Sequence, residues 1–141
     1  MSYTPSGYSG SNIAGGAINR YKSIGVETAD PGRLLLMLYD AAIGNCRKAV
    51  IHLEKGDMAG KGVSIGKAQA ILNEFIATLD YNVSPDLCAN LEALYYFMID
   101  QLTQANMNKS TEPLHIVIKL LKGLREAWGE AVDKTSGIST P

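Results

Sequence analysis

"TADPGRLLLMLYDAAIGNCRKA", residues 28–49, opens with the signals of a helix start and continues as a long apolar stripe. Asp30 stands directly before Pro31, and proline suits the first position of a helix because a backbone N–H has no intrahelical partner there. The Asp30 carboxylate can also accept one of the unpaired N–H groups of the first turn. Mostly apolar residues then recur at helical spacing, which predicts a helix from Pro31 to Lys55. The residues predicted to face inward are Leu34, Leu38, Ala42, Asn45, Ala49 and Leu53.

Three further segments carry the helical pattern, and no segment alternates with the period of two that a strand requires. Pro85 follows Ser84, which can act as a cap, and Pro113 follows Glu112. The predicted helices cover residues 58–80, 85–108 and 113–133. Their inward stripes are Ile65, Ala68, Leu72, Phe75, Ile76 and Leu79 in the second helix, Leu87, Leu91, Leu94, Met98, Leu102 and Ala105 in the third, and Val117, Leu121, Leu124, Trp128 and Val132 in the fourth. Four amphipathic helices joined by short loops predict an all-α fold, an antiparallel up-and-down four-helix bundle.

The two ends of the chain lie outside this pattern. Residues 1–29 are expected to form a mobile N-terminal arm, because the Ser-, Gly- and Tyr-rich beginning cannot bury enough apolar surface to offset its ordering entropy. A short helical turn is possible at residues 16–21. Residues 134–141 are expected to be a disordered tail, which leaves residues 30–133 for the bundle.

The composition excludes several classes of protein. The 141 residues suffice for one domain with a single core, and a formal net charge of −1 leaves no surplus of Lys and Arg for a nucleic-acid backbone. The N-terminus lacks a signal-peptide pattern and no apolar run is long enough to span a bilayer, so we expect a cytosolic protein without membrane insertion. Cys46 and Cys88 lie in apolar periodic segments and are expected to be buried, reduced thiols.

The sequence offers no convincing catalytic or metal-binding motif. Glu112 and His115 have the Glu-x-x-His spacing of ferritin-like di-iron sites, but such sites use the pair twice together with two further carboxylates. No Gly-rich phosphate loop, nucleophile elbow or paired-cysteine motif is present. We therefore expect no enzyme, no metal and no cofactor.

An alternative function rests on His52. The stretch from His52 to Gly56 resembles the phosphoacceptor of histidine phosphotransfer domains, which would make the chain a phosphorelay module. The objection is that Lys55, Gly56 and Asp57 have the pattern of a helix C-terminus, with a cation in the last turn followed by glycine. A phosphotransfer helix would continue through this point.

The third and fourth helices carry more apolar surface than a small bundle needs, since an arc of about 100° suffices. The additional residues are Tyr95, Tyr96, Phe97 and Ile99 on the third helix and Ile116, Leu120 and Ala127 on the fourth. Three explanations remain open from periodicity alone. The surplus can be a generous core with some exposed aromatics, a groove for another apolar helix, or a surface at which two copies meet.

Three blocks of the sequence are similar to the motifs of a known family. The first has a tyrosine, a short apolar link, Thr-Ala-x-Pro and Leu-x-x-Met-Leu-Tyr-Asp, matched by Tyr21, Val26, Thr28, Ala29, Pro31, Leu34, Met37, Leu38, Tyr39 and Asp40. The second is NLEALYYFMIDQLTQANMN, residues 90–108, and the third is LLKGLREAWGEAV, residues 120–132. On these blocks, which together cover residues 18 to about 132 in order, the chain resembles the FliS family of flagellar secretion chaperones.

The resemblance implies a non-enzymatic cytosolic export chaperone. It would bind the disordered C-terminal segment of flagellin, prevent premature polymerisation and deliver flagellin to the flagellar export apparatus. The implied further partners are the cytosolic domain of the export gate and a co-chaperone, and the chain itself is expected to be a monomer or a weak homodimer. The surplus apolar surface would then be the groove that receives the client.

We expect the N-terminal arm to cover this groove as a plug when no client is bound. For Val26 the alternative is that it packs against the start of the first helix as a hydrophobic staple. The residues predicted for the groove and the plug are Ile18, Tyr21, Val26, Leu34, Leu38, Tyr39, Leu91, Tyr95 and Ile99.

Overall fold

The structure is a computed structural model that describes residues 30–137, and four α-helices account for most of this range. They are α1, Pro31–Lys55; α2, Met58–Ala77; α3, Pro85–Asn108; and α4, Glu112–Gly137. No strand occurs within residues 30–137. The predicted all-α four-helix bundle is confirmed.

Each helix packs against two others. Both α1 and α3 lie against α2 and α4. Because the connections between helices are short, consecutive helices run antiparallel. The first turns of α1 and α3 and the last turns of α2 and α4 therefore meet at one end of the bundle, which we call the Pro31 end.

Local signals in the sequence set the boundaries of α1. The Asp30 side chain accepts a hydrogen bond from the Arg33 N–H at 2.8 Å and caps the helix, as predicted. Gly56 ends α1 in the left-handed conformation, with φ of 76°, which glycine adopts without a steric penalty. Asp57 then caps α2 by accepting from the Gly60 N–H at 3.0 Å, a role that the sequence analysis missed.

The prediction that Ser84 caps α3 is wrong, because its side chain makes no capping hydrogen bond. The start of α3 has two other sources of stability. Pro85 leaves one N–H fewer to satisfy, and the Asp86 carboxylate lies in the first turn, near the positive end of the helix dipole.

The ends of α2 and α4 also differ from prediction. α2 stops at Ala77, three residues early, where the Thr78 hydroxyl donates to the Phe75 carbonyl at 3.0 Å and satisfies one of the last carbonyls. α4 continues to Gly137, four residues beyond the predicted boundary at residue 133. Near this end, Asp133 forms an ion pair with Arg33 of α1 at 3.8 Å, so the last part of α4 still contacts the bundle.

The core runs along the bundle and takes residues from every helix. The inward face of α1 is rotated relative to the prediction, because this helix packs against both α2 and α4. Asn45 is only partly buried, with its amide donating to the Ala41 carbonyl at 2.9 Å. Leu87, predicted to be inward, is 48% exposed because it lies in the first turn of α3, where the bundle ends. The buried residues of α1 are Leu34, Leu36, Tyr39, Ala42, Ile43, Cys46, Ala49 and Val50.

The two cysteines behave as predicted. Cys46 and Cys88 are both buried and both are free thiols. Burial raises the pKa of the Cys46 thiol to about 12, because the thiolate would lose its hydration. Cys46 is therefore an unreactive core residue.

Candidate functional site

An apolar depression lies at the Pro31 end of the bundle. It has two adjoining parts, of about 140 Å³ and 300 Å³, which share Leu35, Phe75 and Thr78. The smaller part lies between α1 and α2, and the larger part extends over the start of α3 to Trp128 of α4. The other lining residues are Pro31, Leu34, Leu38 and Glu74 in the smaller part, and Leu79, Asp80, Val83, Ser84, Leu87, Cys88, Leu91 and Tyr95 in the larger part.

Four aromatic side chains, one from each helix, form a cluster beneath the depression. The hydroxyl oxygens of Tyr39 and Tyr95 are 2.6 Å apart, and the Trp128 indole N–H donates to the Tyr39 hydroxyl at 3.1 Å. Phe75 stacks on Tyr39 with ring centroids 4.5 Å apart, and its centroid is 5.4 Å from that of Tyr95. We call these four side chains the aromatic cluster. It gives the depression a floor that is held by both hydrogen bonds and ring packing.

Burial extends to higher pH the range in which both tyrosines of the cluster are neutral. The pKa of Tyr39 is raised far above its ordinary value, first by desolvation and then by the neighbouring Tyr95. The pKa of Tyr95 is also raised, chiefly by desolvation. The cluster therefore presents uncharged hydroxyl groups throughout the physiological pH range.

The structure brings together four of the residues predicted for the groove. Leu34 and Leu38 line the smaller part of the depression, and Leu91 and Tyr95 line the larger part. Tyr39 is fully buried and lies under the depression rather than in its wall.

The remaining predicted residues are not part of this site. Ile99 packs against the core one turn beyond Tyr95 along α3, farther from the Pro31 end than the depression extends, and its carbonyl accepts from the Gln69 amide of α2 at 3.2 Å. Ile18, Tyr21 and Val26, predicted for the plug, lie outside the described residues.

Sequence reasoning missed several residues that line the depression. Leu35 was not among the residues predicted to face inward on α1, although it follows Leu34 directly. Phe75 and Trp128 were assigned only to the core. Val83 was the residue that the sequence could have identified most easily. It is an apolar residue in the loop YNVSPDLC, outside the apolar stripe of any helix. It is 80% exposed at the edge of the depression.

Other apolar side chains are exposed away from the depression. Tyr96 and Phe97 point outward from α3, and Ile116 is exposed on α4. Of the surplus apolar residues on these two helices, Tyr95 therefore belongs to the core, whereas these three belong to the surface. The surplus is thus divided between a larger core and exposed apolar groups that remain available to a partner.

Asp40 lies next to Tyr39 in the sequence but on the outside of the bundle. Its carboxylate accepts from Arg125 of α4 at 3.0 Å and 3.4 Å, through the two nitrogens Nε and Nη2. This hydrogen bond raises the pKa of the Arg125 guanidinium. The pair is solvated, so its contribution to stability is small, but it links the outer surfaces of α1 and α4.

The two histidine patterns do not form reactive centres in the described part of the chain. His52 lies in the last turn of α1, where its Nδ1 is 3.0 Å from an oxygen of Asp57, and the helix ends at Gly56 as the phosphorelay objection required. Glu112 and His115 are exposed, and no group of three His, Cys, Asp or Glu side chains within residues 30–134 gathers to hold a metal ion. The phosphorelay alternative therefore has no support.

The family is decided by comparison with known proteins. The family model described as flagellar protein FliS matches residues 14–135. The chain belongs to the FliS family. It is 35% identical to the flagellar secretion chaperone FliS of Salmonella typhimurium, over 84% of this chain and 92% of the relative. It is 37% identical to the flagellar secretion chaperone FliS of Bacillus subtilis, over 79% of this chain and 83% of the relative.

The three FliS-like sequence blocks meet in the aromatic cluster. Tyr39 comes from the first block, Tyr95 from the second and Trp128 from the third, and the three side chains are joined by hydrogen bonds. The adjacent residues Tyr39 and Asp40 of the first block thus have separate tasks, one inside the bundle and one at its surface. No helix in the described range is long and apolar enough to cross a membrane.

Proposed function

We propose that this chain is a cytosolic export chaperone for flagellin. It binds the disordered C-terminal segment of flagellin, prevents premature polymerisation and delivers the client to the flagellar export apparatus. Two lines of support are its membership of the FliS family and the names of its relatives, which are flagellar secretion chaperones. It acts by binding alone, and not as an enzyme.

The observation that carries this proposal is the apolar depression at the Pro31 end. An apolar surface left in water loses about 25 cal/mol of stabilisation per Å², so a concave apolar site favours an apolar partner. A disordered client segment has apolar side chains of its own to bury and gains order when it binds. The depression and the exposed residues Phe97 and Ile116 give such a segment more than one place to contact the bundle.

The arm of residues 1–29 is proposed to cover the depression when no client is bound. The chain enters the bundle at Pro31, which itself lines the smaller part of the depression. Nine residues lie between Tyr21 and Pro31, and an extended chain spans about 3.3–3.6 Å per residue, so the arm is long enough for Tyr21 to extend from Pro31 over the depression. In this proposal Ile18 and Tyr21 form the plug, and Val26 packs near the start of α1.

The further partners follow from the same function. Delivery requires contact with the cytosolic domain of the export gate, and a co-chaperone can use apolar surface that the client leaves free. Tyr96, which is exposed on the outer face of α3, is one such group. In the absence of these partners we propose a monomer or a weak homodimer.

Mixing the purified full-length chain with flagellin tests the proposal. Size-exclusion chromatography with light scattering should show a one-to-one complex. Flagellin that lacks its C-terminal segment is the matched control and should elute separately. A full-length flagellin that stays unbound at micromolar concentration, with both proteins folded, would contradict the proposed function.

A further inference from the structure

One hydrogen of the aromatic cluster has no acceptor within residues 30–134. The cluster has three polar hydrogens, on the Trp128 indole and on the two tyrosine hydroxyls, but only two hydrogen bonds connect them. The Trp128 indole N–H donates to the Tyr39 hydroxyl oxygen. Between the two tyrosines one hydroxyl donates and the other accepts, so one tyrosine hydrogen is left over.

Burial decides which tyrosine keeps that hydrogen. Tyr39 is 0% exposed and does not line the depression, whereas Tyr95, though only 2% exposed, forms part of its wall. If Tyr95 donated to Tyr39, the Tyr39 hydrogen would be enclosed in the core without an acceptor, which is unfavourable. The lower-energy order runs from Trp128 to Tyr39 to Tyr95, and it leaves the Tyr95 hydrogen at the depression.

Apart from the Ser84 hydroxyl at the start of α3, the other side-chain donors in this part of the wall are already in use. The Thr78 hydroxyl donates to the Phe75 carbonyl at 3.0 Å, and the Cys88 thiol donates to the Asp80 carbonyl at 3.3 Å. The Trp128 N–H is bonded to Tyr39. The larger part of the depression therefore presents an apolar surface to a bound segment. The Tyr95 hydroxyl adds a hydrogen-bond donor to this surface.

We propose that the Tyr95 hydroxyl donates a hydrogen bond to a main-chain carbonyl oxygen of the client segment that occupies the depression. This inference rests on the proposed function and specifies how the client is held. Carbonyls inside a helix are already bonded, and only extended residues and the last turn of a helix have free ones. The client segment over Tyr95 is therefore extended or ends a helix there, while its apolar side chains contact residues such as Leu35 and Leu91.

The test compares Tyr95→Phe with Tyr96→Phe. Both variants lose one hydroxyl and keep the ring, but Tyr96 is 52% exposed and lies one position along the same helix. Titration calorimetry with flagellin should show binding about three- to tenfold weaker for Tyr95→Phe and unchanged for Tyr96→Phe, because one buried hydrogen bond to the client is lost. Equal affinity of Tyr95→Phe and the unaltered protein would overturn the inference and leave the proposed function standing, whereas failure of the unaltered protein to bind would contradict the proposed function.

A second measurement uses the unaltered protein, in case Tyr95→Phe fails to fold. Exchange of the Tyr95 hydroxyl hydrogen can be followed by the deuterium isotope effect on the ¹³Cζ signal of labelled tyrosine. The exchange should slow when flagellin is added. Exchange that is already slow in the free protein, and that becomes fast when residues 1–22 are deleted, would assign the acceptor to the arm and overturn the inference.

Discussion

The hydroxyl of Tyr39 on α1 is 2.6 Å from that of Tyr95 on α3, which makes a direct polar link between two opposite helices of the bundle. Neither helix has the other as a main packing partner, since each lies between α2 and α4. The link is extended to α4 by Trp128, at 3.1 Å from Tyr39. Three helices are thus joined directly below the surface on which the client is proposed to bind.

Tyr39→Phe should destabilise the bundle more than a tyrosine hydroxyl usually does. The substitution keeps the ring that stacks on Phe75 but removes the acceptor of Trp128 and the partner of Tyr95. We expect a loss of about 1–3 kcal/mol in the free energy of unfolding, because buried polar groups lose their partners. Urea denaturation followed by the fluorescence of Trp128, the only tryptophan, measures the change. Tyr96→Phe is the control, and equal midpoints for the two variants would show that the hydrogen-bonded link carries no stability.

Leu87→Asp should weaken flagellin binding without unfolding the protein. Leu87 lines the depression and is 48% exposed, so a carboxylate there remains solvated in the free protein but meets apolar client groups in the complex. It also lies in the first turn of α3, where a negative charge is favourable. We expect at least tenfold weaker binding by calorimetry and a change in stability within about 0.5 kcal/mol.

Ile51→Asp is the matched control for this experiment. Ile51 is 49% exposed on α1, close to the exposure of Leu87, but it does not line the depression. Its substitution should leave flagellin binding unchanged. If both variants bind equally well, the client does not occupy the larger part of the depression.

Stability should fall as the pH rises above about 9. The pKa of the Cys46 thiol is raised by burial from 9.0 to about 12, so between these values the unfolded chain has lost a proton that the folded chain retains. The free energy of unfolding is therefore unaffected by the ionisation of this group below pH 9. It falls as the pH rises from 9 towards 12, by about 1.4 kcal/mol per pH unit for this one group. Urea denaturation at pH 8, 9 and 10 measures the slope. Cys46→Ala should show a shallower slope over this range, and an unchanged slope would assign the effect to other groups.

The sequence predicted those features that depend on residues close together along the chain. Both boundaries of α1 and of α3 agree with the prediction, because prolines start these helices and a glycine ends α1. Burial was less predictable, because it depends on how each helix is rotated and on where the bundle stops. Periodicity alone therefore placed Leu87 inside and Tyr95 in the surplus, whereas Tyr95 is almost fully buried.

The composition of the depression was predictable only in part. Leu34, Leu38 and Leu91 were predicted from the apolar stripes and the family motif, and all three line it. The role of Trp128 depends on the position of its indole next to Tyr39, 89 residues away in sequence. Such a contact follows from the packing of α1 against α4, which no local pattern encodes.

Deleting residues 1–22 should strengthen flagellin binding, since this removes Ile18 and Tyr21, the residues proposed to cover the depression. A plug lowers the apparent affinity by the fraction of molecules in which it is open, so a docking free energy of about 1.4 kcal/mol weakens binding roughly tenfold. The truncated protein should bind tighter by this factor, or it should self-associate through the uncovered surface, as calorimetry and light scattering can show. Deleting only residues 1–14 is the control, because it shortens the arm but retains both apolar residues, and it should leave affinity and mass unaffected. If the protein lacking residues 1–22 stays monomeric and binds flagellin with the affinity of the full chain, the arm neither covers the depression nor contacts the client.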